Sequence, residues 1–282
     1  MFIANTHDYI LCFSNRGRIY WLKVYEVPQG GRASRGKPIV NLVPLMEHEK
    51  ITAVLPVKEF DDEHFVFMAT ANGTVKKTAL SDFSRPMSKG IIAVNLEDGD
   101  YLIGVSLTDG KQDVMLFSDA GKAVRFAESE VRAMGRAAGG VRGMRLATGQ
   151  HVISLLTAAD ESLSVLTATQ NGYGKRTRVG DYPVKGRGTM GVKTVQLVER
   201  KGRLAGARIV RDGYQVMLIS DGGTVIRIPV DGIRRAGRST QGVIVMRLRE
   251  GEQVATLAPV IGSGDDVEVP LEGEPLDGDS PA

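Results

Sequence analysis

The chain has 282 residues, 42% of them hydrophobic, with four histidines and one cysteine. That excludes an internal disulfide framework, and no apolar run reaches membrane-spanning length. The net charge of +3 hides a segregation: from Gly262 onward there are seven acidic and no basic side chains, which leaves 36 basic against 26 acidic residues, +10, before it.

Met1 runs directly into FIANTHDYILCF with no signal-peptide pattern, and Cys12 sits in an apolar strand as a buried structural thiol. Both point to a reducing, cytoplasmic setting. Residues 1–6 read as a lone strand. Residues 7–57 then give YILCFS, turn NRG, RIYWLKV, loop PQGGRASR, Gly36, KPIVNL and ITAVLPV. Trp21 and Tyr25 read as packing residues. Residues 58–108 repeat the plan with HFVFMAT, ANG, TVKKTAL and GIIAVNL, and Asn72-Gly73 is a strong hairpin signal. Residues 109–157 carry VMLFS, DAG, KAVRFAE and SEVRAMGRAAGGVRGMRL, where SEVRAM suits one helical turn. Residues 158–210 carry LSVLTAT, QNG, YGKRTRV and PVKGRGTMG. Residues 211–260 carry QVMLIS, DGG, TVIRIPV, DGIRRAGRST, VIVMRL and QVATLAPV. Residues 261–282, acidic and poor in aromatics, have the composition of a disordered tail.

One unit is therefore repeated five times. Its turn glycines are Gly17, Gly73, Gly121, Gly172 and Gly223, and a second glycine follows at Gly36, Gly90, Gly140, Gly191 and Gly242. Six residues later comes Leu42, Leu96, Leu146, Leu197 or Leu248. A period near 50 built of short strands predicts an all-β, propeller-like array of four-stranded blades. Charge follows the repeat. The segments from turn glycine to leucine hold 26 of the 36 Lys/Arg and only six Asp/Glu. Solvated surface would mix the signs, so the pattern predicts a basic rim.

Several catalytic signatures fail on inspection. Gly31 to Lys37 spells G-x-x-x-x-G-K, but Pro38 follows where a magnesium-binding hydroxyl is needed, and a strand-like run replaces the helix. Gly186 to Gly191 spells G-x-G-x-x-G, yet it leads into a strand and the repeat already accounts for Gly191. His7, His48, His64 and His151 fall singly, Asp61-Asp62-Glu63 lies in a turn, and no nucleophile has a base beside it. No active site, metal site or cofactor site is read from this chain.

What recurs is a loop combining glycine with arginine or lysine. The candidates are Arg32, Arg35 and Lys37 in the first repeat, Arg85 and Lys89 in the second, and Arg136, Arg142 and Arg145 in the third. The fourth supplies Lys185, Arg187 and Lys193, and the fifth Arg234, Arg235 and Arg238. Glycine lets a backbone approach phosphate closely, and arginine presents a fork that matches it. The copies share charge but no constant base-reading amide, which favours contact with a nucleic-acid backbone over sequence readout. A scaffold for acidic protein partners is the competing reading.

Several runs carry a resemblance: IANTHDYILCF (Ile3–Phe13), RGKPIVNLVPL (Arg35–Leu45), ITAVLPV (Ile51–Val57), FMATANGTVKK (Phe67–Lys77), DGDYLIGVSL (Asp98–Leu107), VRAMG (Val131–Gly135), LTATQNGYGKRT (Leu166–Thr177) and STQGVIVMRL (Ser239–Leu248). Over residues 2–260 the chain resembles the C-terminal domain family of bacterial DNA gyrase A subunits. The resemblance implies a β-pinwheel of six four-stranded blades whose basic rim wraps duplex DNA, allowing the ATP-dependent topoisomerase to introduce negative supercoils. It implies as partners double-stranded DNA, the gyrase B subunit, and the cleavage domain that the gyrase A chain itself carries, two of each chain making the holoenzyme. ATP and magnesium would be held elsewhere in that assembly. The family's Q-R-R-G-G-K-G box is absent here. On this reading the chain is five full repeats plus a remnant strand of a sixth, and it catalyses nothing alone. The topoisomerase IV counterpart also lacks the box, but the even repeat spacing and the runs above favour gyrase.

Overall fold

A computed structural model describes residues 4–30 and 36–260. Each repeat begins as a β-hairpin closed at its turn glycine: β1 (Tyr9–Ser14) with β2 (Arg18–Lys23), β4 (Phe65–Thr70) with β5 (Thr74–Ala79), β8 (Asp113–Ser118) with β9 (Lys122–Ala127), β12 (Ser164–Thr169) with β13 (Tyr173–Arg178), and β16 (Gln215–Ser220) with β17 (Val225–Pro229). The last strand of each repeat pairs antiparallel with the first: β3 (Ile51–Val57), β7 (Leu102–Thr108), β11 (Val152–Ala158), β15 (Leu204–Val210) and β19 (Val254–Val260). The two-residue strands β6 (Ile91–Ile92), β10 (Val141–Arg142), β14 (Val192–Lys193) and β18 (Val243–Ile244) complete the set.

A hydroxyl sits three residues before every turn glycine: Ser14, Thr70, Ser118, Thr169 and Ser220. Each accepts the N–H of the residue four positions on, at 3.0–3.3 Å. At the same place the ladder to the innermost strand slips by one residue. The hydroxyl satisfies a turn donor while the bulge adds twist.

The sequence assigns four strands to each repeat, and the four-stranded blade stands, but its outer strand is borrowed. β6 of the second repeat pairs with β2 of the first, β10 with β5, β14 with β9 and β18 with β13. The sheet orders are β3-β1-β2-β6, β7-β4-β5-β10, β11-β8-β9-β14 and β15-β12-β13-β18; the fifth is three-stranded, β19-β16-β17. Repeats two to five thus each reach back and finish the blade before them.

The innermost strands β3, β7, β11, β15 and β19 pack in succession. Apolar cores lie between consecutive blades: Leu11, Phe13, Val66, Met68 and Phe83 between the first two, Met115, Phe117, Val165 and Tyr182 between the third and fourth. Phe13 meets Phe83 and Phe117 meets Tyr182 edge to face, at 6.2 and 5.8 Å. These clusters are shared between neighbouring blades, so order spreads from neighbour to neighbour. The outer face of blade one, Ile10, Cys12, Tyr20 and Leu22, is covered by Leu42, Val43 and Leu45 of its own repeat. Burial pushes the Cys12 thiol up to about 11, as expected of a packing residue. The expected strand at residues 1–6 does not form over Ala4–Thr6, and Met1–Ile3 lie outside the described residues.

Candidate nucleic-acid interface

The basic loops lie where one repeat crosses to the blade before it. After each hairpin comes a single 3-10 turn, such as Leu80–Phe83, Glu128–Glu130 or Val179–Asp181. In repeats two to five the chain then runs back over the preceding blade and enters its edge through the second glycine. Glycine is required there: Gly191 has φ +74° and a Cβ would lie 2.3 Å from Ala123 O, while Gly140 has φ +96° and a Cβ would lie 2.5 Å from Val75 O. Each loop is therefore pinned to the seam between two blades.

Consecutive loops also touch each other. Asn95 Nδ2 donates to Ala137 O; Arg145 N–H donates to Thr189 O at 2.9 Å and Gly188 N–H to Gly143 O at 2.6 Å; Gln196 N–H donates to Thr240 O at 3.0 Å. The loops of repeats two to five thus form one chain of contacts across four seams. Arg85, Lys89, Arg142, Arg145, Lys185, Arg187, Lys193, Arg234 and Arg235 are exposed along it, and Arg136 and Arg238 are half-buried. Lys37 is exposed in the first repeat; Arg32 and Arg35 lie outside the described residues.

Two of these arginines staple loops together. Arg187 donates from Nε to Glu130 O and from Nη1 to Arg142 O, both at 3.1 Å. Arg238, its equivalent one repeat later, donates from Nε to Asp181 O at 2.6 Å and from Nη1 to Lys193 O at 3.1 Å. Arg235 pairs with Asp212, which also pairs with Arg176. Burial pushes the Asp212 carboxyl up, but the two guanidinium bonds outweigh it and hold it below the usual range.

Not every basic residue of the repeat belongs to the rim. Lys76 and Lys175, equivalent positions on β5 and β13, are fully buried. Lys76 Nζ donates to Ala93 O and Arg136 O; Lys175 Nζ donates to Gly237 O and Arg238 O at 2.6 Å and to Thr240 Oγ1 at 3.1 Å. Burial, then the positive charge of Arg136 or Arg238, draws both ammonium groups down to about 8. Their neighbours are internal as well. Lys77 pairs with the buried Glu128 at 3.5 Å; Arg125 donates to Val179 O and Tyr182 O at 3.1 Å; Arg176 donates to Ile233 O at 2.7 Å. The basic rim expected from charge alone is therefore smaller than expected: these five residues hold the loops from beneath and do not face out. Trp21 has a related part, its Nε1–H donating to Phe83 O at 2.8 Å.

Arg132, Arg178, Arg227 and Arg247 are further exposed basic residues of the repeat that the candidate set omits. Arg247 lies five positions after Gly242, as Arg145 does after Gly140, and that shared offset is its signal. Of the two phosphate-loop look-alikes, Gly186–Gly191 leads into β14, a strand, and Pro38 is followed by a single 3-10 turn at Ile39–Asn41.

A ribbon of basic, glycine-hinged loops on a strand-exchanged propeller defines a class of protein. The model of the family described as "DNA gyrase C-terminal domain, beta-propeller" matches residues 8–58, 64–109, 112–159, 164–211 and 214–261, and the chain belongs to that family. It is 55% identical over 280 residues to the DNA gyrase A subunit of Salmonella typhimurium and 52% to that of Escherichia coli K12, in each case over 99% of this chain. It spans 32% of the length of those relatives. Among solved structures it is similar to a DNA gyrase A C-terminal domain, with TM-score 0.80 and 25% identity over 92% of this chain and 84% of that one. It is also similar to a DNA topoisomerase IV C-terminal domain, with TM-score 0.83 and 29% identity over 91% and 80%.

Proposed function

We propose that this chain is the DNA-wrapping domain of gyrase A, binding duplex DNA along the seam loops and bending it through successive phosphate contacts. The contact chain between loops carries this reading, because a bent duplex needs neutralising charge distributed along its whole arc. Bending 20–30 base pairs costs on the order of 1–6 kcal/mol. The rim cations Arg85, Lys89, Arg136, Arg142, Arg145, Lys185, Arg187, Lys193, Arg234, Arg235 and Arg238, with Lys37, Arg32 and Arg35 from the first repeat, are the proposed phosphate partners. By its family, the chain would act in the cytoplasm beside the cleavage domain and the gyrase B chain, which carry the chemistry, ATP and magnesium. The competing topoisomerase IV assignment has similar structural support, but the higher sequence identity is to gyrase A. The test is end-to-end fluorescence transfer on duplexes of increasing length. Transfer should rise on binding and fall as salt increases. Binding without added transfer would leave a basic scaffold but no wrapping domain.

A further inference from the structure

A cavity of about 260 Å³ opens among the innermost strands. Residues 52–54 of β3, 103–105 of β7 and 153–155 of β11 line it, and β15 adds Arg208. None of these belongs to a basic loop, and Arg208 is the one charged residue among them.

The repeat does not call for a cation there. The inner-strand residue paired with the third position before each turn hydroxyl is Leu55, Ser106, Leu156, Arg208 and Ala258 in turn. Leu55 and Leu156 join the apolar cores between blades. Arg208 is half-buried and lines the cavity instead. Its Nη1 donates to Ala207 O at 2.8 Å and, across the seam to blade three, to Ser154 Oγ at 3.5 Å. Its Nε and Nη2 donors find no acceptor, and it enters no ion pair, among the described residues. Burial alone draws the guanidinium below its usual pKa, with no charged neighbour acting on it. A cation withdrawn from water without a counter-charge is unfavourable until something pairs with it. Beside it, Ser154 is 2% exposed and its Oγ accepts the Ala207 N–H at 3.0 Å, which leaves its own O–H as a further donor.

We propose that this cavity binds a small oxyanion, a phosphate or a carboxylate, held by the Nε–Nη2 edge of Arg208 and the Ser154 hydroxyl. Two parallel N–H groups match two oxygens of such an anion, which supplies the missing counter-charge. Arg208 belongs to blade four and Ser154 to blade three, so the bound anion ties two neighbouring blades together at their inner edges. The basic loops lie on the outer edges, and the two sites are separate.

Isothermal titration calorimetry of the 282-residue chain with inorganic phosphate, and separately with acetate, at fixed ionic strength tests this. At least one of the two should bind saturably at one site per chain. At about ten times its dissociation constant it should raise the melting temperature by about 2–4 °C. Either anion supports the site: phosphate alone assigns a tetrahedral ligand, acetate alone a carboxylate. Arg142→Gln with Lys193→Gln should leave this titration intact, whereas Arg208→Leu should abolish it. Leucine is what blades one and three carry at this position, so without phosphate or acetate Arg208→Leu should melt no lower than the parent. Absence of saturable binding by both anions overturns the proposal, as does binding that Arg208→Leu retains. If Arg208→Leu melts well below the parent with neither anion present, the guanidinium is a structural donor already partnered, and that overturns it too.

Discussion

Replacing Arg142 and Lys193 together by glutamine removes two charges that occupy equivalent positions on β10 and β14, both exposed. Each phosphate contact adds about 0.9 to the slope of log affinity against log salt, so losing two flattens it by about 1.8. From 50 to 200 mM the parent should then lose about one decade more affinity than the variant, a difference readable by fluorescence anisotropy on a labelled duplex. Lys76→Met with Lys175→Met is the matched control, removing the same formal charge from beneath the loops. Those ammonium groups bond carbonyls within sealed surroundings. Each carbonyl left without a donor costs about 1–3 kcal/mol, offset in part by relief from burying the charge. The control should melt lower and keep the parent salt slope. If the buried pair flattens the slope as much as the rim pair, or the rim pair leaves it unchanged, the division into rim and latch residues is wrong.

The latch lysines also set a pH dependence. Folding lowers both from 10.5 to about 8, so above that pH the unfolded chain holds protons the folded one has shed, and stability rises with pH. Cys12, raised from 9.0 to about 11, opposes this above pH 9.0, which leaves about 8 to 9 as the clean window. There the stability gap between parent and the double Met variant should widen by at most about 1.4 kcal/mol per pH unit per lysine; a constant gap in denaturant titrations would sink the assignment. Gly172→Ala should destabilise far more than Gly223→Ala. Both have φ +82°, but only Gly172 would drive a Cβ into Met246 O. The second change should cost about 1–2 kcal/mol of backbone strain, and equal melting losses would refute the close approach of the borrowed strand to blade four. Removing residues 262–282, with seven acidic side chains, should tighten DNA binding most at low salt, because a tethered polyanion competes at an effective concentration of order millimolar. Unchanged affinity across salt would reduce that segment to a solvating extension.

Much of this molecule is local and therefore written in its sequence. The turn glycines need positive φ, the first hairpin strands need short apolar runs, and both recur at a spacing near 50, so five hairpins and their loops are readable without coordinates. So is the charge on those loops, since Arg142 or Lys193, each two residues after a glycine, has nothing nearby in sequence to bury it. The destination of the short strands is not local. VIVMRL has the same pattern whether it pairs within its own blade or with β13 of the blade before, because a period-two pattern names a face and no partner. Tertiary structure alone decides that exchange, and with it the fate of the lysines. Lys76 reads in sequence like any rim cation, yet its carbonyl cage includes Arg136 O, supplied from 60 residues further along the chain. A side chain's charge is fixed by its own residue; whether water or a neighbouring repeat solvates it is fixed only by packing.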